Sequence, residues 1–273
     1  MTDRYAVIGH PIAHSQSPRI HAAFAQATAQ DLSYVAIEAP LDGFAATVQA
    51  FRAGGGRGVN VTLPFKLQAC QLANDPSEAA RLAGAANALK FEGERIVADN
   101  FDGIGLVNDI QRNLGHALRG RRVLLLGAGG ATRGALLPIA QQGPATLAVA
   151  NRTADKAHGL RTDFAAHVTL NSGGYADLAG EAFDVVINAT SAGLSGEALP
   201  LPDGLFAPGA LAYDMVYGKG LTPFLRQARA AGVSALADGV GMLVEQAAEA
   251  FAWWRGVRPD TRDVIARLSV PLV

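Results

Sequence analysis

The sequence predicts an α/β protein built from two units, each with a mostly parallel sheet. Three observations carry this. Short apolar or β-branched runs alternate with longer helical stretches, the runs are largely apolar along their length, and the series restarts after Gly120. In order, Tyr5–Ile8, Tyr34–Ile37 and Val59–Val61 read as strands, with helices over Pro18–Ala29 and Gly43–Ala53. Gly54-Gly55-Gly56 reads as a helix stop and a loop. Asp102–Leu114 reads as a helix, and Gly120-Arg121-Arg122 leads into the second series. That series has strands at Val123–Leu126, Thr146–Val149, Val185–Ile187 and Leu211–Tyr213, with helices over Gly134–Gln142 and Ala154–Ala165. From Asp238 the chain turns helical through Trp254 and again over Asp260–Leu268.

Composition bounds the class. The 273 residues are 49% hydrophobic and 17% charged, which argues against disorder and is enough to build two ordinary cores. A formal net charge of −1 without any block of like charges argues against nucleic acid or an anionic membrane surface as partner. One cysteine forms no internal disulfide, and the six histidines lack metal-ligand spacing, so no metal is expected. Cys70 and Trp253-Trp254 read as packing. With no charged-then-apolar leader and no membrane-length apolar run, a soluble cytoplasmic protein is expected. The 31 glycines stand out, because glycine is costly to order and marks special backbone geometry.

The most informative glycines follow Val123–Leu126 in the run Gly127-Ala128-Gly129-Gly130-Ala131-Thr132-Arg133-Gly134. Strand, glycine turn and helix start in that order suit a pyrophosphate, which the backbone can approach closely and helix N–H groups can bind. Thr132 stands where the usual fingerprint has its third glycine, so this is a variant. The next strand ends in Asn151-Arg152-Thr153, with Lys156 beyond and no carboxylate at the strand end. An acidic residue there would suit the ribose hydroxyls of NAD; arginine, hydroxyl and lysine suit a 2′-phosphate, favouring NADP(H). Thr153 also fits an ordinary helix cap. Asn188-Ala189-Thr190-Ser191-Ala192-Gly193 is a small polar turn at a strand end, with room for a cofactor.

The first half offers polar residues at strand ends. In His14-Ser15-Gln16-Ser17-Pro18, Ser17 fits a helix N-cap and Pro18 the first helical position. The same two hydroxyls fit a carboxylate cradle equally well. Lys66 closes Thr62-Leu63-Pro64-Phe65-Lys66 and has Asp102 as a candidate partner for proton transfer, although a lysine is ordinarily a solvated charge and Asp102 also suits a helix cap. Asn87 suits either a substrate hydroxyl or a turn.

Together these segments resemble the shikimate dehydrogenase family over nearly the whole chain. The matching runs are His14–Pro18, Asn60–Lys66, Gly84–Leu89, Asp99–Gly105, Gly127–Gly134, Asn151–Thr153, Asn188–Gly193, Tyr213–Tyr217, Thr222–Leu225 and Asp238–Ala247. The resemblance implies NADPH-dependent, reversible reduction of 3-dehydroshikimate to shikimate. It implies catalytic Lys66 and Asp102, a carboxylate site at Ser15, Ser17 and Tyr217, and hydroxyl contacts from Thr62, Asn87, Asp102 and Gln246. It implies cofactor contacts at Gly127, Ala128, Gly129, Gly130, Ala131, Asn151, Arg152, Thr153, Lys156, Thr190, Met215 and Gly239. The expected division is 1–102 with 238–273 as the substrate domain and 103–237 as a Rossmann-type NADP domain. A monomer or homodimer acting on a small molecule is expected.

Threonine is usual in the family where this chain has Ala88 and Phe101, and asparagine is common at His10. The Phe101 ring, beside Asp102, is a candidate to change pocket shape. The rival readings are a quinate/shikimate dehydrogenase using NAD and a non-catalytic NADP-binding regulator. The presence of both Lys66 and Asp102 favours the enzyme.

Overall fold

A computed structural model describes residues 2–192, 198–218 and 220–272. The chain divides into two compact units, 1–105 with 244–264, and 106–243 with 265–273. The expected boundaries fall a few residues earlier, and 265–273 group with the second unit instead of the first. The physical reason is local: Leu272 packs against the second unit's core cluster.

In the first unit, β1 (Asp3–Gly9), α1 (Ser17–Ala27), β2 (Leu32–Glu38), α2 (Phe44–Ala53) and β3 (Gly56–Val61) form an alternating series. Next come α3 (Lys66–Leu72), β4 (Asp75–Pro76), α4 (Glu78–Ala83), β5 (Ala88–Glu92), β6 (Arg95–Asp99) and α5 (Asp102–Asn108). The sheet order is β2-β1-β3-β5-β6-β4. β1 pairs in parallel with β2 and β3, whereas β5 runs antiparallel to both β3 and β6. The β5–β6 hairpin turns at Gly93, whose φ of 57° is one that glycine takes readily. β5 (Ala-Leu-Lys-Phe-Glu) and β6 (Arg-Ile-Val-Ala-Asp) are five-residue strands in which charged residues interrupt the apolar ones, and pairing across the hairpin completes them. Gly54 and Gly55 form the expected turn, but Gly56 already belongs to β3. Phe44 and Phe65 stack at 4.9 Å inside a core with Ile8, Val48, Val59 and Leu89.

Asp102–Leu114 is not one regular helix: after α5 the turn widens to a π-helix over Asp109–Asn113. The second unit then runs β7 (Arg122–Leu126), α6 (Gly130–Ala140), β8 (Thr146–Ala150), α7 (Ala154–Asp163), β9 (Asn171–Gly173), β10 (Phe183–Asn188) and β11 (Phe206–Asp214). It continues through α8 (Pro223–Ala230), β12 (Ala235–Asp238) and the start of α9 (Val240–Arg255), with α10 (Arg262–Leu268) following. Its six strands are ordered β12-β11-β10-β7-β8-β9 and all pair in parallel. This is the doubly wound order, and the direction of winding reverses between β7 and β10. Val123–Leu126 and Val186–Ile187 are fully buried, as strands covered on both faces require.

Candidate active site

The first unit gathers a polar cluster at the ends of its strands. Gly9 ends β1, and a Cβ there would lie 2.5 Å from Thr62 Cγ2, so only glycine lets the turn after β3 sit this close. Phe65 N–H donates to the Thr62 carbonyl at 3.0 Å, closing the turn that starts α3 at Lys66. Lys66 Nζ donates to Asp102 Oδ2 at 2.5 Å, with the two side chains 27% and 16% exposed. Asp102 opens α5, and its backbone N–H donates to Asn100 Oδ1 at 3.1 Å. Asp102 therefore begins the helix, but the capping acceptor is Asn100.

Asn87 is the hub. Its Oδ1 accepts the Phe101 N–H at 2.8 Å, and its Nδ2 donates to Asp102 Oδ1 at 2.8 Å and Gln246 Oε1 at 3.1 Å. Both amide protons are thus engaged, which fixes the orientation of Asp102 and Gln246. A Cβ on Gly105 would lie 2.7 Å from Gln246 N, so α5 and α9 touch through a bare glycine and bring Gln246 to Asn87.

At the start of α1, Ser17 is the first helical residue and Gln16 the cap, correcting the expected N-cap at Ser17. The turn is closed by the Ser17 N–H donating to Ser15 Oγ at 3.3 Å, so its own hydroxyl is left for other partners. Phe101 does not open toward the cluster with its ring. It is 9% exposed, meets Trp253 edge-on at 5.6 Å and packs with Ala88 and Ala250, so both departures from threonine lie in one small core. Trp254 stacks on Tyr5 at 4.8 Å, and Cys70 is partly buried with its thiol 3.4 Å from the Ala80 carbonyl. His10 Nδ1 lies 3.0 Å from the Ala39 carbonyl.

In the second unit the helix after β7 begins earlier than expected, at Gly130, with Gly129 as its cap. Gly127 has φ 101°, and a Cβ there would lie 2.9 Å from Thr190 Cγ2, so the turns after β7 and β10 meet at the reversal point of the sheet. Thr132 is fully buried and its hydroxyl donates to the Gly127 carbonyl at 2.7 Å, which explains a threonine in place of a third glycine. Gly129 and Gly130 differ: a Cβ at either would meet nothing within 4 Å. The chain's own packing does not demand glycine there. Exposed backbone with free first-turn N–H groups is what a diphosphate needs, so the turn, with Ala128 and Ala131, fits a dinucleotide.

Past β8, Asn151 Nδ2 donates to the Thr153 carbonyl at 2.9 Å. Thr153 caps α7 by position but its side chain accepts no capping bond. Arg152, Thr153 and Lys156 are exposed together, matching a 2′-phosphate. Arg133 is committed elsewhere, to Asp163 at 2.6 Å. Thr190 Oγ donates to Asn188 Oδ1 at 2.7 Å, while Asn188 Nδ2 donates to buried Asp214 at 3.1 Å. Thr222 Oγ donates to the other Asp214 oxygen at 2.5 Å, and burial holds this carboxyl above the usual carboxylate range. Met215 N–H donates to the Asn188 carbonyl at 3.0 Å, and a Cβ on Gly239 would lie 2.3 Å from the Met215 carbonyl oxygen. Tyr217 is 43% exposed. Gly193 lies outside the described residues. Asn60, Asn100, Asn188 and Asp214 carry much of this order and were not singled out; a lone amide or carboxylate at the end of an apolar strand was the available signal.

Among the described residues no group of three or more His, Cys, Asp or Glu could hold a metal, and no helix is long and apolar enough to cross a membrane. A chain that carries both a doubly wound unit with an open glycine turn and a unit holding a lysine–aspartate pair has the parts of a dinucleotide-dependent α/β oxidoreductase. Three family models match in chain order: the shikimate dehydrogenase substrate binding domain over 7–89, shikimate/quinate 5-dehydrogenase over 109–195, and the shikimate 5′-dehydrogenase C-terminal domain over 239–268. A shikimate dehydrogenase (NADP(+)) of Dechloromonas aromatica is 58% identical, with 100% of each chain covered. The crystal structure of the Ael1 enzyme from Pseudomonas putida matches at 62% identity and TM-score 0.96 over 100% of both chains. A Thermus thermophilus shikimate 5-dehydrogenase, solved in complex with NADP(H) and shikimate, matches at 34% identity and TM-score 0.86 over 98% of this chain and 100% of that one. The chain belongs to the shikimate dehydrogenase family.

Proposed function

We propose that this protein is an NADP-dependent shikimate dehydrogenase, reducing the ketone of 3-dehydroshikimate to the alcohol of shikimate and running in reverse. The observation that carries the reading is the Lys66–Asp102 pair at 2.5 Å, braced through Asn87, in a full-length member of this family. When bound, NADPH supplies the hydride. Lys66 gives a proton to the developing alkoxide and takes it back in the oxidative direction. Asp102 holds the ammonium in place and accepts from a substrate hydroxyl. Ser15, Ser17 and Tyr217 hold the substrate carboxylate, and Thr62, Asn87 and Gln246 order its hydroxyl side, Asn87 chiefly by orienting Asp102 and Gln246. An analogue lacking a hydroxyl leaves a buried partner unpaired, which gives discrimination.

Gly127, Ala128, Gly129, Gly130 and Ala131 hold the diphosphate. Arg152 and Lys156 grip the 2′-phosphate with Asn151 and Thr153, and Thr190, Met215 and Gly239 line the nicotinamide end. The first unit is the substrate domain and the second the NADP domain, and the protein acts in the cytoplasm on small molecules as a monomer or homodimer.

The test is the loss of NADPH absorbance on adding 3-dehydroshikimate, repeated with NADH and with quinate in the oxidative direction. Turnover with NADPH, at higher efficiency than either alternative gives, is the expected result. No NADPH consumption would overturn the reading.

A further inference from the structure

Two buried polar residues close neighbouring strands of the second unit's sheet. Asn188 ends β10, Asp214 ends β11, and the two are partners in register. They are 1% and 0% exposed. A carboxylate buried this deeply needs hydrogen bonds, and three donors converge on it. Asn188 Nδ2 and the Val216 N–H both reach Oδ1 at 3.1 Å, and the Thr222 hydroxyl reaches Oδ2 at 2.5 Å. The Thr222 oxygen in turn accepts the Leu225 N–H at 3.3 Å, as the cap of α8.

The consequence runs outward through Asn188. A backbone N–H can only donate, so Asp214 Oδ1 is an acceptor and the atom of Asn188 that faces it is the amide nitrogen. The amide oxygen then faces Thr190, taking its N–H at 3.0 Å and its hydroxyl at 2.7 Å. The Thr190 methyl is the group that a Cβ on Gly127 would meet, at 2.9 Å. With its hydroxyl on Asn188 and its methyl toward Gly127, Thr190 is held in one rotamer. Its proton is spent on Asn188. One lone pair of its oxygen faces the Ala192 N–H at 3.3 Å, and no donor among the described residues takes the other.

We propose that Asp214 and Asn188 are positioning residues for the cofactor, together making Thr190 an acceptor for an N–H or O–H of the nicotinamide half of NADP(H). This rests on the reading that Thr190 lines the nicotinamide end. The carboxamide and the ribose hydroxyls both offer such a donor. The same pair braces Met215, whose N–H donates to the Asn188 carbonyl at 3.0 Å. Both turns at that end are thereby ordered before the cofactor arrives.

The experiment is calorimetric titration of the full chain with NADP+, well below each melting temperature. The proteins are wild type, Asn188→Ala, Asp214→Ala, Asp214→Asn, Thr190→Val and the double variant of Asn188→Ala with Thr190→Val. Asn188→Ala, Asp214→Ala and Thr190→Val should each raise Kd by roughly threefold to tenfold, the worth of one hydrogen bond. KM for shikimate at saturating NADP+ should stay within about twofold. Asp214→Asn keeps an oxygen for Asn188 and Val216 and turns an amide toward the Thr222 hydroxyl, so its Kd should stay within about twofold of wild type. Beside Thr190→Val, the added penalty of Asn188→Ala should vanish. Titration with the acetylpyridine analogue of NADP+, which lacks the carboxamide N–H, identifies the donor. A Thr190→Val penalty that disappears assigns the carboxamide, and one that persists assigns the ribose. Asn188→Ala decides the matter if Asp214→Ala does not fold. An unchanged Kd in Asn188→Ala, a penalty undiminished beside Thr190→Val, or Asp214→Asn as damaging as Asp214→Ala would overturn the proposal while leaving the dehydrogenase reading intact. A wild type that neither binds NADP+ nor oxidises shikimate would instead overturn that reading, and this inference with it.

Discussion

Lys66 Nζ and Asp102 Oδ2 lie 2.5 Å apart although their residues are distant in the chain, and Asn87 holds the second Asp102 oxygen from the other side at 2.8 Å. A lysine tied to one carboxylate oxygen is fixed in position while it still has two N–H groups to offer a substrate. Replacing it removes the proton donor and leaves the second unit untouched. Lys66→Ala should lower kcat by roughly a hundredfold to ten-thousandfold. NADP+ affinity, read by fluorescence titration, should hold. Near-normal turnover would remove Lys66 from the mechanism.

Arg152 tests the choice of cofactor. It is exposed beside Thr153 and near Lys156, with no carboxylate at the end of β8. Arg152→Ala should shrink the preference for NADP+ over NAD+ in kcat/KM by roughly tenfold to a hundredfold, the loss of a charge-assisted pair. If the ratio of the two cofactors stays put, the 2′-phosphate is held elsewhere.

The glycine turn separates fold from ligand. Gly127 has φ 101° and is pressed against Thr190, so Gly127→Ala should cost about 1–3 kcal/mol in denaturant unfolding. Gly129 has φ −95° and ψ −169°, which alanine can adopt, and open space around it. Gly129→Ala should keep stability within about 0.5 kcal/mol and weaken NADP+ binding by roughly tenfold or more. Equal effects of the two variants on stability would refute the distinction.

His21 gives a pH signature. Burial pushes its pKa from 6.5 down to about 3, and proximity to Asn60 only partly offsets this. Above 6.5 the folded and unfolded chains are both neutral at this group, so it adds no pH dependence. Below 6.5 the unfolded chain takes a proton that the fold refuses, so stability falls as pH drops through the window from 6.5 to about 3. The slope is about 1.4 kcal/mol per pH unit at most. His21→Phe, which keeps the stack on Tyr34, should flatten the fall in unfolding free energy between neutral pH and mild acid. Parallel curves for the two proteins would mean that His21 protonates freely in the fold.

The parts of this fold legible in the sequence were those with strong local patterns. Strands such as Val123–Leu126 are buried on both faces and announce themselves as apolar runs, and the turn at Gly127–Gly130 is marked by its composition. The hairpin of β5 and β6 is harder to read, because each strand is five residues long with charged residues among Leu89, Phe91, Ile96 and Val97, and cross-strand partners complete it. β4 and β9, two and three residues long, offer no periodicity at all. The candidate chemical groups Lys66 and Asp102 stand next to proline and glycine punctuation, which drew attention to them. Asn60 and Tyr34 lie inside strands and carry no such mark.

The sequence by itself determined the α/β class, the glycine turn, the basic end of β8 and, through ordered motifs, the family. Those features are local or depend on order along the chain. Tertiary structure alone decided that Asn87 spends both amide protons on Asp102 and Gln246, that Phe101 turns its ring into a core with Ala88 and Trp253, and that Tyr34 reaches across β1 to Asn60. It also decided which glycines answer to their own chain and which leave space for a guest. These are matters of distance between residues far apart in sequence, where one-ångström differences separate a hydrogen bond from none, and a residue's type carries no record of them.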